Sequence, residues 1–231
     1  MNVLIVESPS KAKSINKYLG NSYKVLASVG HVRDLTAKND AIDTENNFQM
    51  KWETSDRGKK VIKDIANAAQ NSENLYLATD PDREGEAIAW HIEELLREMP
   101  KLANLNIHRI TFNEITKNAV LEALKEPRKV NENLVNAYLA RRALDFLVGF
   151  NLSPVLWRKL PGSKSAGRVQ SVALKIITER EFEIEKFNPE EYWSLKAIFN
   201  KGQEKEFESR LIKFKDEKID KLTIKTESEA S

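Results

Sequence analysis

The run Val3-Leu-Ile-Val6 constrains this chain most: four apolar residues with no polar one among them. A strand with one wet face alternates polar and apolar residues, whereas an unbroken apolar run belongs to a parallel strand covered on both faces. The run ends at Glu7. Ser8-Pro9 then supplies a cap and a first-turn proline for a helix through Leu19, stopped by Gly20. A second strand pattern spans Tyr23–Ser28, followed by a tight turn at Gly30 that places His31 and Arg33 near a strand end. Residues 36–56 are polar and aperiodic and read as one long loop. The alternation resumes with a helix near Lys59–Ala69, a strand over 74–80 and a helix over 85–99 ended by Pro100. Strand His108–Phe112 and helix Ile115–Leu124, closed by Pro127, complete it. Strands alternating with helices over ~125 residues predict an α/β unit built on a parallel sheet.

From about Asn131 the strand pattern stops. A helix is expected over Asn133–Phe150, a shorter one from Ser153-Pro154, a basic turn at 161–164, and a long helix from Ser165 towards Phe187. After Asn188-Pro189, Trp193, Leu195, Ala197 and Phe199 alternate with polar residues, the period of a strand. A turn at 200–203 and a partner strand over Glu206–Phe214 follow. The pattern thus changes near Asn131 and again after Asn188-Pro189, and the last stretch resembles a domain that has been cut.

No stretch of about 18 apolar residues exists, so no membrane span is expected. The absence of cysteine excludes disulfides and thiolate metal sites and is compatible with a cytoplasmic setting. The formal net charge of +2 hides a strong asymmetry. Residues 71–99 carry eight Asp/Glu against two Lys/Arg, whereas residues 141–180 carry eight Lys/Arg against two Asp/Glu. An acidic centre followed by a basic helical region suggests a metal site beside a polyanion track; two solvated faces of opposite sign are the plainer alternative.

The acidic centre is Leu77-Ala-Thr-Asp-Pro-Asp-Arg-Glu-Gly-Glu86, a strand end running into a helix start. Asp80, Asp82 and Glu84, with Arg83 and Gly85 interleaved, should repel one another unless a cation sits among them. Without cysteine, and with three histidines in the whole chain, oxygen ligands favour Mg²⁺. The helix dipole explains acidic residues at Glu84 and Glu86 but not Asp80 and Asp82 on the strand side. Ligands of parallel sheets gather at the carboxyl ends of strands, where Glu7 also stands. Lys11 and Lys13 oppose the dipole of the first helix, which hints at an anionic ligand; solvated surface lysine is the other reading of Lys13.

The basic region contains Ser165-Ala-Gly-Arg-Val-Gln170, where a serine cap and a helix start can present N–H groups and Arg168 to a phosphate. Gln170 can hydrogen-bond a base or sugar, Arg141 and Arg142 add cations, and Trp157 is either a stacking face or a core residue.

These pieces occur together and in order: Glu7-Ser-Pro-Ser-Lys-Ala-Lys13, Ser28-Val-Gly-His-Val-Arg-Asp34, Ala78–Glu86, Phe112-Asn-Glu-Ile-Thr116, Arg141-Arg142 through Asp145, and Ser165–Ser171. The chain resembles the bacterial type IA DNA topoisomerases, in their topoisomerase I branch, across nearly all of residues 1–195. The resemblance implies a Toprim domain (a Rossmann-like parallel sheet) over 1–128, a helical DNA-binding domain over 129–188 and the start of a β-rich arch domain over 189–231. It implies relaxation of negatively supercoiled DNA by single-strand cleavage, passage and resealing, in the cytoplasm, on the nucleoid, by a monomer. Glu7, Lys11, Asp80, Asp82, Arg83 and Glu84 would be catalytic, with Glu7, Asp80, Asp82 and Glu84 around Mg²⁺. The single strand would be gripped by His31, Arg141, Arg142, Asp145, Phe150, Trp157, Ser165, Ala166, Gly167, Arg168, Val169 and Gln170.

Two departures stand out. Members of the family usually carry Arg directly after the aspartate that matches Asp145, and this chain has Phe146. The family's nucleophilic tyrosine lies beside an Arg-Thr-Asp sequence, and none of Tyr18, Tyr23, Tyr76, Tyr138 and Tyr192 has that context. The expectation is a chain whose nucleophile comes from further domains. A Toprim primase or nuclease would share the glutamate and Asp-x-Asp cluster without needing Ser165–Ser171; a binding module without catalysis would make the carboxylates dispensable.

Overall fold

The computed structural model describes residues 1–38, 40–200, 202 and 206–231. They form two compact units, Met1–Gln170 and Ser171–Ser231.

In the first unit, β1 (Asn2–Val6), α1 (Pro9–Leu19) and β2 (Tyr23–Ala27) form as the apolar run and the Ser8-Pro9 start dictate. Ser8 caps α1 by accepting the Lys11 N–H at 3.4 Å. Residues 36–56 are not one loop. They and the preceding turn fold into β3 (Arg33–Leu35), β4 (Ile42–Asp43), β5 (Gln49–Met50) and β6 (Trp52–Thr54), paired antiparallel as β3–β6 and β4–β5. Strands of two or three residues are too short to show a period, which is why the sequence reads as loop.

Next come α2 (Asp56–Ala69), β7 (Asn74–Leu77), α3 (Arg83–Arg97), β8 (Asn106–Arg109) and α4 (Lys117–Ala123). β8 lies earlier than the expected 108–112 because it pairs in register with β7, Asn74 to Asn106 through Leu77 to Arg109, and stops where β7 stops. The sheet order is β2-β1-β7-β8, all parallel. Val3 and Ile5 pack with Ile62, Ile65, Ile88 and Ile92 of α2 and α3; Leu4 and Val6 pack on the opposite face with Ile15, Leu19 and Val120 of α1 and α4. Both faces of β1 are thus covered, and each such side chain contributes roughly 1.5–3 kcal/mol. Connections from β1 leave to β2 on one side and reach β7 on the other. The crevice outside the carboxyl ends of β1 and β7 is therefore the topological switch point.

Residues 132–159 form one helix, α5 (Glu132–Lys159), with Pro154 inside it. The expected break at Ser153-Pro154 does not occur. A proline removes one N–H and costs about 3 kcal/mol in a helix interior; the helix runs through it with the neighbouring Ser153 buried and its hydroxyl accepting the Ala166 N–H at 3.1 Å. α6 (Arg168–Glu185) begins three residues later than expected. Ser165 is consequently not its cap; its hydroxyl donates instead to Gln170 Oε1 at 3.3 Å. The region holds two helices where three were expected.

The second unit takes in the rest of α6. It also contains the antiparallel pairs β9 (Lys196–Phe199) with β10 (Phe207–Arg210) and β11 (Lys213–Phe214) with β12 (Glu217–Lys218), and the short α7 (Glu227–Ala230). The expected partner strand is split in two, and the turn expected at 200–203 lies in part outside the described residues, at Lys201 and Gln203.

Candidate active site and nucleic-acid interface

Glu7 follows β1 and Asp80 follows β7, so adjacent parallel strands deliver both carboxylates to the switch point. Lys11, one turn into α1, joins them: its Nζ lies 3.0 Å from Glu7 Oε2 and 2.5 Å from Asp80 Oδ1. The Asp80 N–H also donates to Glu7 Oε1. Burial works to lower the Lys11 pKa, but the hydrogen bonds to Asp80 and Glu7 outweigh it and hold the ammonium above its ordinary range. The lysine placed against the helix dipole is therefore a fixed cation between two carboxylates; Lys13 is exposed and makes no such pairing among the described residues.

The other acidic residues turn elsewhere. Asp82 caps α3, accepting the Gly85 N–H at 2.8 Å. Glu84 Oε2 accepts from His31 Nε2 at 3.1 Å. Arg83 buries its Nε without a hydrogen-bond partner. Among the described residues no three His, Asp or Glu side chains are grouped around one metal position. Mg²⁺ is nevertheless served by one or two carboxylates together with water and substrate phosphate. Exposed Asp80 and Asp82 on one turn fit that donor set.

Sequence reasoning missed what holds this turn. Arg109, whose side chain is 0% exposed, donates to the carbonyls of Leu77 (3.0 Å), Thr79 (2.8 Å), Asp80 (2.7 Å) and Ile110 (2.5 Å). Its Nε donates to Glu86 Oε2 at 3.1 Å. Glu86, equally buried, also accepts from Arg128 at 2.7 and 2.9 Å and from the Asn131 N–H at 2.6 Å. Burial raises a carboxyl pKa, but Arg128, Asn131 and Arg109 together carry Glu86 below its ordinary range. The helix-start reading of Glu86 is thus incomplete: it faces the core and ties the acidic turn to the start of α5. Gly85 fits the same design, since a Cβ there would stand 2.2 Å from the Asp80 carbonyl oxygen.

A cleft of about 290 Å³ adjoins the turn, lined by His31, Asp34, Glu84, Tyr138, Arg141, Arg142 and Asp145. Arg142 pairs with Asp34 through two bonds of 2.8 and 2.9 Å. Burial raises the Asp34 pKa, yet the Arg142 bonds bring it below the ordinary range. Asp145 receives Arg168 at 2.8 Å and Arg141 at 3.6 Å. Four of the expected DNA contacts, His31, Arg141, Arg142 and Asp145, therefore line one cleft, and a fifth, Arg168, pairs with Asp145. Phe150, Trp157, Ser165 and Ala166 line a neighbouring, more apolar cleft of about 500 Å³ with Phe146. Phe146 stacks on Phe150 at 4.2 Å and packs beside Leu35, Ala41, Ile42 and Ala143. Trp157 is half exposed, its indole N–H held by the Lys164 carbonyl at 2.7 Å. Gly167 and Val169 flank Arg168 at the start of α6, where Gln170 meets Ser165.

Comparison with known proteins gives matches over nearly the whole chain. Residues 2–115 match the family described as Toprim domain, and residues 129–231 match the family described as DNA topoisomerase. A DNA topoisomerase 1 of Zymomonas mobilis is 54% identical over 233 residues, covering 100% of this chain and 19% of the relative. That of Rickettsia felis is 52% identical over 231 residues, covering 100% of this chain and 30% of the relative. A solved structure of full-length topoisomerase I from Thermotoga maritima is 42% identical with a TM-score of 0.69, covering 94% of this chain and 35% of that one. The chain thus spans between 19% and 30% of the length of these two curated relatives.

Proposed function

The chain belongs to the bacterial type IA DNA topoisomerases, and on that premise we propose that it supplies the acidic centre and the single-strand grip of an enzyme that relaxes negatively supercoiled DNA. The observation that carries this reading is the Glu7–Lys11–Asp80 cluster at the switch point, beside a cleft lined with arginines. Glu7 takes and returns a proton at the oxygens of the scissile phosphodiester. The Lys11 ammonium offsets charge that develops on the phosphate. Asp80 and Asp82, with Glu84 and Glu7, would hold Mg²⁺, which would supply positive charge beside the phosphate. Arg83 completes the turn as a cation beside these carboxylates. Arg142 and Arg168 exchange their present carboxylate partners for phosphates of the strand, and His31, Arg141, Asp145, Phe150, Trp157 and the Ser165–Gln170 segment line its path.

We place the domain boundaries at 128 and 188, following the resemblance to the family. The nucleophile is a tyrosine outside this chain. Tyr138, which lines the cleft beside the acidic turn, is itself buried, and burial, with Asp34 and Glu84 nearby, pushes its pKa up to about 12. The enzyme acts as a monomer on the nucleoid; among the described residues no helix is long and apolar enough to cross a membrane.

The test is to incubate the chain with Mg²⁺ and single-stranded or duplex DNA, measuring affinity and then denaturing to look for covalent products. The expected result is preferential single-strand binding with no protein–DNA adduct. An adduct would overturn the assignment of the nucleophile, and nicking without one would favour a Toprim nuclease.

A further inference from the structure

Tyr138 lies in none of the motifs that carry the resemblance. It projects from α5, is 6% exposed, and stacks its ring on the His31 imidazole at 5.1 Å with an 18° interplanar angle. His31 is in turn the partner of Glu84. A carboxylate can only accept, so His31 carries its proton on Nε2; its Nδ1 is buried with no hydrogen-bond partner. One hydrogen bond leaves an imidazole free to rotate about that bond. The second restraint on the ring is the aromatic face of Tyr138.

Behind both rings lies His91, edge-on to Tyr138 at 6.1 Å and to His31 at 6.0 Å. Its Nδ1 accepts from Arg33 Nε at 2.5 Å, and Arg33 lies over the rings of Trp90 and Trp52 at 5.0 and 5.6 Å. Burial, Arg33 and His31 hold the His91 pKa down to about 2, so this support stays neutral. Tyr138 therefore rests on a neutral, buried base and lays its ring face on His31.

We propose that Tyr138 is a positioning residue for His31, fixing the imidazole in the plane that hydrogen-bonds Glu84 and thereby linking the helix that carries Arg141 and Arg142 to the acidic turn. The DNA arm of the test rests on the functional reading above; the imidazole arm does not. Tyr138→Phe keeps the ring, whereas Tyr138→Met keeps most of the bulk and loses the plane.

The decisive experiment is nitrogen-edited NMR of the histidine side chains in the 231-residue chain, together with single-stranded DNA affinity. In the wild type the His31 ring protons are expected to be shifted upfield by the Tyr138 face, with a single Nε2–H tautomer. Tyr138→Phe should retain both signatures, and Tyr138→Met should show averaged tautomers while the His91 signals stay in place. Single-strand affinity should fall about 3- to 10-fold in Tyr138→Met, the range of an aromatic pair, and Tyr138→Met should cause no further fall when His31→Ala is already present. An unshifted His31 in the wild type would overturn the proposal without any variant. So would a single tautomer kept in Tyr138→Met, or an equal loss of affinity with and without His31. Failure of the wild type to bind DNA would count against the functional reading, and the imidazole signals would still decide the role of Tyr138.

Discussion

The acidic turn and the basic strip lie side by side, yet they are held by opposite means. Arg109 and Glu86 under the turn are both 0% exposed, whereas the strip's pairs are open: 32% and 61% for Arg142–Asp34, 44% and 33% for Arg168–Asp145. Removing one member of a buried pair costs about 3–5 kcal/mol, because its partner is left charged in the core. An exposed pair is worth about 0–1 kcal/mol and is screened by salt. The difference teaches a division of labour. The carboxylates of the turn are mounted on a backbone held by a buried network, while the arginines of the strip rest on exposed carboxylates that they can leave cheaply, as the proposed function requires.

The sharpest way to break this comparison is Glu86→Ala, which strands Arg109 and exposes the Asn131 cap. It should lower stability by about 3–5 kcal/mol in urea unfolding. A loss below about 1 kcal/mol would mean that the buried network is not what fixes the turn. Gly85→Ala comes next, at about 1–3 kcal/mol, since its methyl meets Asp80 backbone rather than a yielding side chain. A smaller loss would show that the turn can give.

Acid should act on the buried side more than on the exposed one. Glu86 and Asp34 both titrate below their ordinary range when folded. Their stabilisation is therefore complete above the range of free carboxylates, about pH 4, and is lost as pH falls through their folded values. Most of that slope should vanish in Glu86→Gln, and little should vanish in Asp34→Asn, whose pair is open to solvent. Equal effects would contradict the comparison. The smallest effect is expected on the strip: Arg168→Ala should leave stability within about 0.5 kcal/mol. It should also reduce the slope of log affinity against log salt for single-stranded DNA by about one contact. An unchanged slope would make Arg168 a structural residue.

The parts of this molecule legible in its sequence are those decided locally. The Ser8 cap and the unbroken apolar run of β1 act within a few residues of themselves, whereas the Ser55 cap is hidden in the stretch that reads as loop and Asp82, placed on the strand side, proves to cap α3. Glu7 and Asp80 could be paired in advance because strand ends of a parallel sheet converge. Illegible were the features decided by distant partners. A charged residue reads as surface by default, so nothing local announces that Arg109 and Glu86 neutralise each other in the core. The ladders within 33–54 depend on cross-strand pairing, and α5 runs on through Pro154, where a proline reads locally as a break. Phe146, conspicuous as a departure from the family's arginine, proves to be packed against Phe150 and the β3–β4 region.

The central claim is that turn and strip form one site for a metal-assisted grip on a single strand. Backbone amide NMR of the chain, titrated with a short single-stranded oligonucleotide in Mg²⁺, tests it most directly. The account predicts joint perturbation of Lys11, residues 80–84 and the Arg168–Gln170 helix start at one oligonucleotide concentration, with the first two groups silent when Asp80→Asn and Asp82→Asn are combined. Shifts confined to the basic strip, with residues 80–84 unmoved in the wild type, would contradict it.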